Sequence, residues 1–372
     1  MFFSSNASVL QSAASTDLKD GVRGTRGPRL CFISTMLGRR PGFVTSPGQI
    51  LSDLFSREGY DVVSTSSVAN RYLRLLDVAA TIIKNRKKFD IAVIDVFGGP
   101  SIVIEDLASF LCRLFGRQVI MYLHGGALPE FSARFPRWTR RVFKRAGAIV
   151  APSKFLAREL QPAGLSIRII PNVIEIAKYP YRRRARLQPR LFWMRSFHPI
   201  YDPELAIKVF ATVKKLYPGA SLVMAGQDKG QESEVRALAV NLGLEHSIRF
   251  AGFLDSNGKA LEGSNADLFL NTSRVDNMPV VLIEACAMGL PVVTTNAGGI
   301  PDLLTEGVTG LLAPVSNESA ISSAVIKLLE NPELAERLSQ NGITLARCSS
   351  WENVLPLWNR AFADVRPVEV EA

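Results

Sequence analysis

The feature that most narrows what this chain can fold into is a repeated order. A short apolar run without polar alternation is followed by a helical pattern, then by another such run. In the first half the runs are 29–35 (RLCFIST), 61–65, 90–96 (DIAVIDV), 118–123 (QVIMYL), 148–152 and 167–171. Helical patterns fall near 46–58, 69–87, 101–115, 131–146 and 153–162. A strand with one face in water alternates; a strand covered by helices on both faces does not. The pattern therefore predicts a parallel sheet with right-handed crossovers, a Rossmann-like unit. Residues 172–190 break the order with Pro180, Pro189 and five arginines, and read as a linker. A second series follows, with strands at 190–194 (RLFWM), 221–226, 247–252, 267–270 (DLFL), 291–295 (PVVTT) and 310–314. Its helices are expected near 203–216, 231–242, 257–263, 279–289, 317–330, 332–347 and 350–365. The fold class is α/β, two Rossmann-like domains at 28–180 and 190–349, with a cleft where the strand C-termini face each other.

The chain has 372 residues, 47% of them apolar, enough for two cores. The Ser/Ala/Gly-rich residues 1–27 have no apolar segment ahead of a cleavage site, so they read as a disordered leader and not a secretory signal. No run of 18 uncharged apolar residues occurs, so no transmembrane helix is expected. Cys31, Cys112, Cys286 and Cys348 lack metal-ligand spacing and read as buried thiols of a reducing compartment. Charge is unevenly spread: residues 1–190 hold 30 Lys+Arg against 13 Asp+Glu, and residues 191–372 hold 14 against 21. A basic half suggests an anionic partner: nucleic acid, an anionic membrane or a phosphate-bearing acceptor. The stretch 130–146 (EFSARFPRWTRRVFKRA) interleaves Phe131, Phe135, Trp138 and Phe143 with six basic residues. At helical spacing that is either a cationic face for anionic headgroups or a core stripe with solvated arginines. The basic runs at 84–88 and 182–190 point to the membrane as well. No nucleic-acid-binding motif or stacking platform is present, so nucleic acid is not an expected partner.

The chemistry concentrates at 271–299 (NTSRVDNMPVVLIEACAMGLPVVTTNAGG). An apolar strand ends in a polar loop, Pro279 opens a helix that ends at Gly289, and a buried strand follows. Asp276 lies in the loop and Glu284 eight residues on. The first amides of the helix favour a bound anion, and a carboxylate further along can reach hydroxyls of the same ligand. Three further loops follow strands. Gly38 to Gly48 (GRRPGFVTSPG), with Gly42 inside it, allows close backbone approach beside Arg39 and Arg40. Residues 122–131 (YLHGGALPEF) put His124 at a strand end beside two glycines, with Glu130 further along. Residues 193–207 (WMRSFHPIYDPELAI) put Arg195 at the end of a strand, with Tyr201-Asp202-Pro203 capping the next helix. A guanidinium fork matches two phosphate oxygens at once.

The stretches 193–203 and 271–299, within a likeness running over roughly 29–365, resemble the family 4 retaining glycosyltransferases, whose fold is GT-B. That resemblance implies a nucleotide-diphospho-sugar donor, no cofactor, no metal, and residues 350–372 crossing back onto the first domain. The first domain (28–180) would then be the acceptor side and the second (190–349) the donor side. It also implies roles: His124 at the donor hexose, Arg195 on the diphosphate, and Asp276, in place of the usual Glu, on sugar hydroxyls. Asn277, Met278, Pro279 and Val280 would meet the donor through the backbone, and Glu284 the ribose. Most of the family has a Lys-Gly pair five or six residues after the arginine, where this chain has Ile200 and Tyr201. Lys229, in AGQDKG after the strand at 221–226, is the candidate for the second cation. The expected activity is hexosyl transfer with retention to a lipid-linked or polysaccharide-precursor acceptor, in the cytoplasm or peripherally on the inner membrane face. A non-catalytic relative binding a sugar nucleotide or a partner enzyme is the alternative.

Overall fold

The computed structural model describes residues 27–365 except 41, 127, 162, 163 and 185; residues 1–26 of the expected leader lie outside the described residues. Two six-stranded, wholly parallel sheets organise the chain. The first contains β1 (Leu30–Ile33), β2 (Val62–Thr65), β3 (Ile91–Val96), β4 (Gln118–Leu123), β5 (Ala148–Ala151) and β6 (Ile167–Ile169), in the order β2-β1-β3-β4-β5-β6. The second contains β7 (Arg190–Met194), β8 (Ser221–Ala225), β9 (Ile248–Gly252), β10 (Leu268–Asn271), β11 (Val292–Thr295) and β12 (Leu311–Ala313), in the order β12-β11-β10-β7-β8-β9. Both orders place the start of the series inside the sheet, so the order in which strands are added reverses next to β1 and next to β7. The crevice at such a reversal lies outside the strand C-termini.

Helices α1 (Pro47–Arg57), α2 (Arg71–Asn85) and α3 (Ile102–Leu114) cover the first sheet. The expected helix at 131–146 is two: α4 (Leu128–Arg134) and α5 (Pro136–Phe143). Pro136 carries no amide hydrogen to continue the ladder, so the second helix starts afresh on it. Helix α6 (Lys154–Leu160) follows β5. The second sheet carries α7 (Pro203–Leu216), α8 (Glu232–Asn241), α9 (Ser256–Asn265), α10 (Val280–Ala287), α11 (Ile300–Leu303), α12 (Glu318–Glu330) and α13 (Pro332–Arg347). The last helix, α14 (Trp351–Val365), buries Val354, Trp358 and Phe362 against Leu30, Phe32 and Phe55 of the first lobe. The Trp358 ring meets Tyr122 edge-on at 5.1 Å.

Three expectations change. Cys348 is exposed at the end of α13, while the other three thiols are buried. The arginine-rich linker does not present its charge outward as a block. Arg184 is buried and donates to the carbonyls of Arg182, Met288, Gly263 and Ala266. Burial without a carboxylate partner lowers its guanidinium to about 9. Arg182 and Arg190 both reach Asp267, and Arg183 reaches Glu336. These contacts fasten the linker to the second lobe. The aromatics of 130–146 also divide: Phe143 is core, Phe131 and Trp138 are partly buried, and Phe135 is 40% exposed.

Candidate functional site

The site residues converge where the strand ends of the two sheets meet. On the first lobe, β4 hands the chain to His124, whose side chain is only 5% exposed. Its Nε2 lies 3.2 Å from Asp95 Oδ1 on β3. Asp95 also accepts from the Gly48 amide at 3.1 Å and from Ser34 Oγ. The His124 ring is packed against Tyr122 at 3.9 Å and Phe97 at 5.2 Å. Glu105, buried in the first turn of α3, accepts from Phe97 N (3.1 Å) and Ser101 Oγ (2.8 Å) through Oε1. Its Oε2 is buried with no partner among the described residues, and burial raises the carboxyl to about 7. Glu130 is exposed on α4. The Gly38 amide donates to Gln49 Oε1, and the Gly42 carbonyl accepts from Gln227 of the second lobe.

On the second lobe, Arg195 follows β7 and is largely buried beside its partners. Its Nη2 pairs with Asp276, its Nε donates to Asn271 Oδ1 at 3.3 Å, and its guanidinium lies 4.6 Å over the Tyr201 ring. Burial lowers it to about 10, so it is charged at neutral pH. Tyr201, one of the two residues standing where the family's Lys-Gly pair is expected, thus faces the arginine with its ring. Asp202 is the N-cap residue of α7 but makes no side-chain cap; its carboxylate pairs with Arg274 at 2.7 Å. Lys229 is exposed, and its amide donates to the Phe197 carbonyl, which brings that loop beside the segment after Arg195.

Pro279 is the N-cap of α10 in an extended conformation, and the helix begins at Val280. Asn277 ties the two lobes together. Its Nδ2 donates to the His124 carbonyl at 3.3 Å, and its Oδ1 accepts from Ser153 Oγ. The Met278 carbonyl accepts from Asn172 of the first half at 3.4 Å. The Gly298-Gly299 turn is required by close approach: a Cβ on Gly299 would sit 1.8 Å from the Asn277 carbonyl, and one on Gly298 2.0 Å from that of Asp276. Glu284 is buried inside α10. Lys259 Nζ from α9 lies 2.9 and 3.0 Å from its two oxygens, and Tyr179 OH donates to Oε1 at 2.6 Å.

The structure thus brings together His124, Arg195, Asp276, Asn277 and Glu284 or their immediate partners. Asp95, Glu105, Lys259 and Tyr179 were not expected from the sequence. Asp95 alone left a signal: a carboxylate inside an otherwise apolar strand predicted to be covered on both faces. Among the described residues, no cluster of His, Cys, Asp or Glu could hold a metal ion.

Two Rossmann-like lobes with this cleft define the class: the fold is GT-B, the architecture of nucleotide-sugar glycosyltransferases. Anabaena Alr3699/HepE, solved in complex with UDP and glucose, superposes with a TM-score of 0.70 at 17% identity, covering 91% of this chain and 98% of that one. Sucrose-phosphate synthase from Thermosynechococcus elongatus superposes at 0.71 and 16% identity, covering 90% and 99%. The family model for glycosyl transferases group 1 matches residues 186–345, and that for glycosyltransferase family 4 matches residues 57–178. The chain belongs to this family of glycosyltransferases. Among curated relatives, a phosphatidyl-myo-inositol mannosyltransferase of Mycobacterium leprae is 28% identical over 205 residues, 55% of this chain and 53% of that protein. An N-acetyl-alpha-D-glucosaminyl L-malate synthase of Bacillus anthracis is 32% identical over 191 residues, 49% of each. The chain spans about half the length of the curated relatives it matches.

Proposed function

We propose that the protein moves a hexosyl unit, with retention and without a metal, from a nucleotide-diphospho-sugar to a lipid-linked or polysaccharide-precursor acceptor. The observation that carries this reading is the join at Asn277, which holds the start of α10 against the His124 backbone. A donor laid across that join has Glu284 within reach of its ribose, Arg195 and the α10 amides at its diphosphate, and His124 at its sugar. Arg195 and the amides would stabilise the departing diphosphate. Asp276 and Glu284 engage cations of their own lobe, which fits hydroxyl binding better than nucleophilic attack. The acceptor side is the first lobe. There a cavity of about 550 Å³ is lined by Arg40, Thr65, Ser66, Ser67, Asp77 and Thr81, a hydroxyl-rich wall suited to a polyol or sugar.

Peripheral membrane contact on the inner face is part of the proposal. Among the described residues no helix is long and apolar enough to cross a membrane. The stretch 130–146 supports contact less than its sequence suggests, because Arg141, Arg145 and Trp138 all converge on Asp106. The basic run 84–88 supports it more. It begins in the last turn of α2, whose Tyr72, Leu73, Leu76 and Ile83 are exposed by 45–68%. Apolar side chains rimmed by cations suit an anionic interface. Charge reversal at Lys87 and Lys88 should weaken binding to anionic vesicles in a salt-dependent way. Wild-type protein that ignores such vesicles sinks the membrane claim.

The activity is tested by incubating the protein with UDP- and GDP-sugars. One donor should be hydrolysed slowly without acceptor, equally with and without EDTA, and the anomer released should be that of the donor. The second reading, a non-catalytic relative, is favoured by one observation: Arg195 and Glu284 are each neutralised by a neighbour. Nucleotide binding without turnover of any donor would establish it.

A further inference from the structure

The geometry points to a fixed orientation and tautomer for His124, set by Asp95: Nε2 carries the proton inward, and Nδ1 presents its lone pair to the cleft. The inference rests on the glycosyltransferase reading only for what Nδ1 meets there. Asp95 is 6% exposed, and its charge is held in place from two sides. Oδ2 takes the amide of Gly48, in the first turn of α1, and the Ser34 hydroxyl; Oδ1 is left for Nε2. The positive end of an eleven-residue helix lies beside this carboxylate. The fit is tight: a Cβ on Gly48 would lie 2.6 Å from Asp95 Oδ2, which gives the last glycine of the 38–48 loop its reason.

An ionised carboxylate can only accept, so the facing ring nitrogen must be the one that donates. In the neutral imidazole the other nitrogen is then an acceptor. Nδ1 takes no partner among the described residues, yet it is not among the buried polar atoms left without one, so it reaches solvent. The ring is packed against both Tyr122 and Phe97, so it cannot turn over without disturbing them. The titratable groups around the pair are Tyr122 on β4, in contact with the ring, and Glu105 on α3, whose charge acts on Asp95 no further than its own protonation allows. No lysine or arginine pairs with either residue among the described residues.

His124 therefore accepts a hydrogen bond from a hydroxyl of the donor sugar or of the acceptor, and does not donate one to an oxygen bearing charge. Asp95 is a positioning residue: it reaches the substrate only through the imidazole.

The test reads the tautomer directly. The chain has three histidines, so long-range proton–nitrogen correlation spectra of isotope-labelled full-length protein are simple to assign. His198 is a built-in reference: its Nδ1 accepts from the Ile200 amide at 3.2 Å, so it shares the expected tautomer. His246, 95% exposed, reports a solvated ring. Neutral His124 should show its proton on Nε2, and Asp95→Asn should shift it wholly or partly to Nδ1. In the same variant donor hydrolysis should fall about tenfold in kcat with the donor KM little changed, the size of one well-placed hydrogen bond. A proton on Nδ1 in the wild type overturns the inference whatever the activity. A variant with the wild-type tautomer and wild-type kcat overturns the role of Asp95. If Asp95→Asn does not fold, the wild-type spectrum decides alone. Absence of donor turnover in the wild type defeats the glycosyltransferase reading and leaves the tautomer result standing.

Discussion

The two walls of the cleft handle buried charge in opposite ways, and against their overall balance. Residues 1–190 are strongly basic, yet the two buried carboxylates under that wall, Asp95 and Glu105, have no lysine or arginine partner among the described residues. Residues 191–372 are acidic, yet every buried carboxylate there has a cation: Asp202 with Arg274, Glu262 with Arg249, Asp267 with Arg182 and Arg190, Glu284 with Lys259. The first lobe keeps its cations outside, where they can meet an anionic surface, and leaves its cleft wall to a histidine. The second lobe turns two cations inward, Arg195 and Lys259, at the proposed donor site, while the arginines on its other buried carboxylates stay about half exposed. Net charge alone would have assigned the proposed diphosphate to the other wall.

The largest effect should follow from breaking the second wall. Arg195→Ala removes the charge at the proposed diphosphate, and kcat should drop by about 10²–10³. Glu284→Ala should raise the donor KM as well and leave the partly buried Lys259 without its partner. Both variants should keep the circular dichroism of the wild type. Near-wild-type turnover in either would remove the assignment of this wall to the donor.

The first wall should respond to pH. An unfolded Glu105 loses its proton near 4.5, while burial in the fold holds it to about 7. The folded form therefore prefers the protonated state. Stability from this group is full below about pH 4.5, falls as pH rises toward 7, and is flat beyond. Glu105→Gln keeps an oxygen for Phe97 N and Ser101 Oγ but cannot ionise. Relative to wild type it should gain stability across that window, up to about 3 kcal/mol by denaturant unfolding. A constant difference between pH 4.5 and 7 would mean that Glu105 ionises freely and that the wall is not short of cations.

The two walls were unequally legible in the sequence. Strands were visible because burial on both faces removes alternation, and Arg195 and Glu284 because they stand at the end of one strand and in the helix after another. What could not be read is who partners whom. Asp95 and His124 are 29 residues apart, Lys259 and Glu284 25, and Tyr179 and Glu284 105. These contacts exist only because strand order sets β3 beside β4 and the linker against α10. The arginine run at 182–190 misled for the same reason: its acceptors are carbonyls and carboxylates some 80 to 155 residues further on, invisible to local pattern. The split of 131–146 was legible at Pro136, where the missing amide outweighs the continuing apolar period.

The smallest effect would sharpen the comparison most. If the second lobe draws cations inward for an anionic ligand, its own carboxylates stand where that ligand would be, and Asp276 on Arg195 is the case to try. Removing its charge with Asp276→Asn leaves Arg195 held by Asn271 and stacked on Tyr201, so the guanidinium keeps its place. Free UDP or GDP would then meet an unpaired, buried cation with no carboxylate to displace. Its affinity should rise about tenfold, about 1.4 kcal/mol, by calorimetry, even though transfer falls with the loss of the sugar contact. The rise should shrink with salt less than surface binding does, because the pair is largely buried. Unchanged or weaker diphosphate binding would show that Asp276 leaves Arg195 at no cost, and that the inward cations of this lobe serve its fold and not an anionic ligand.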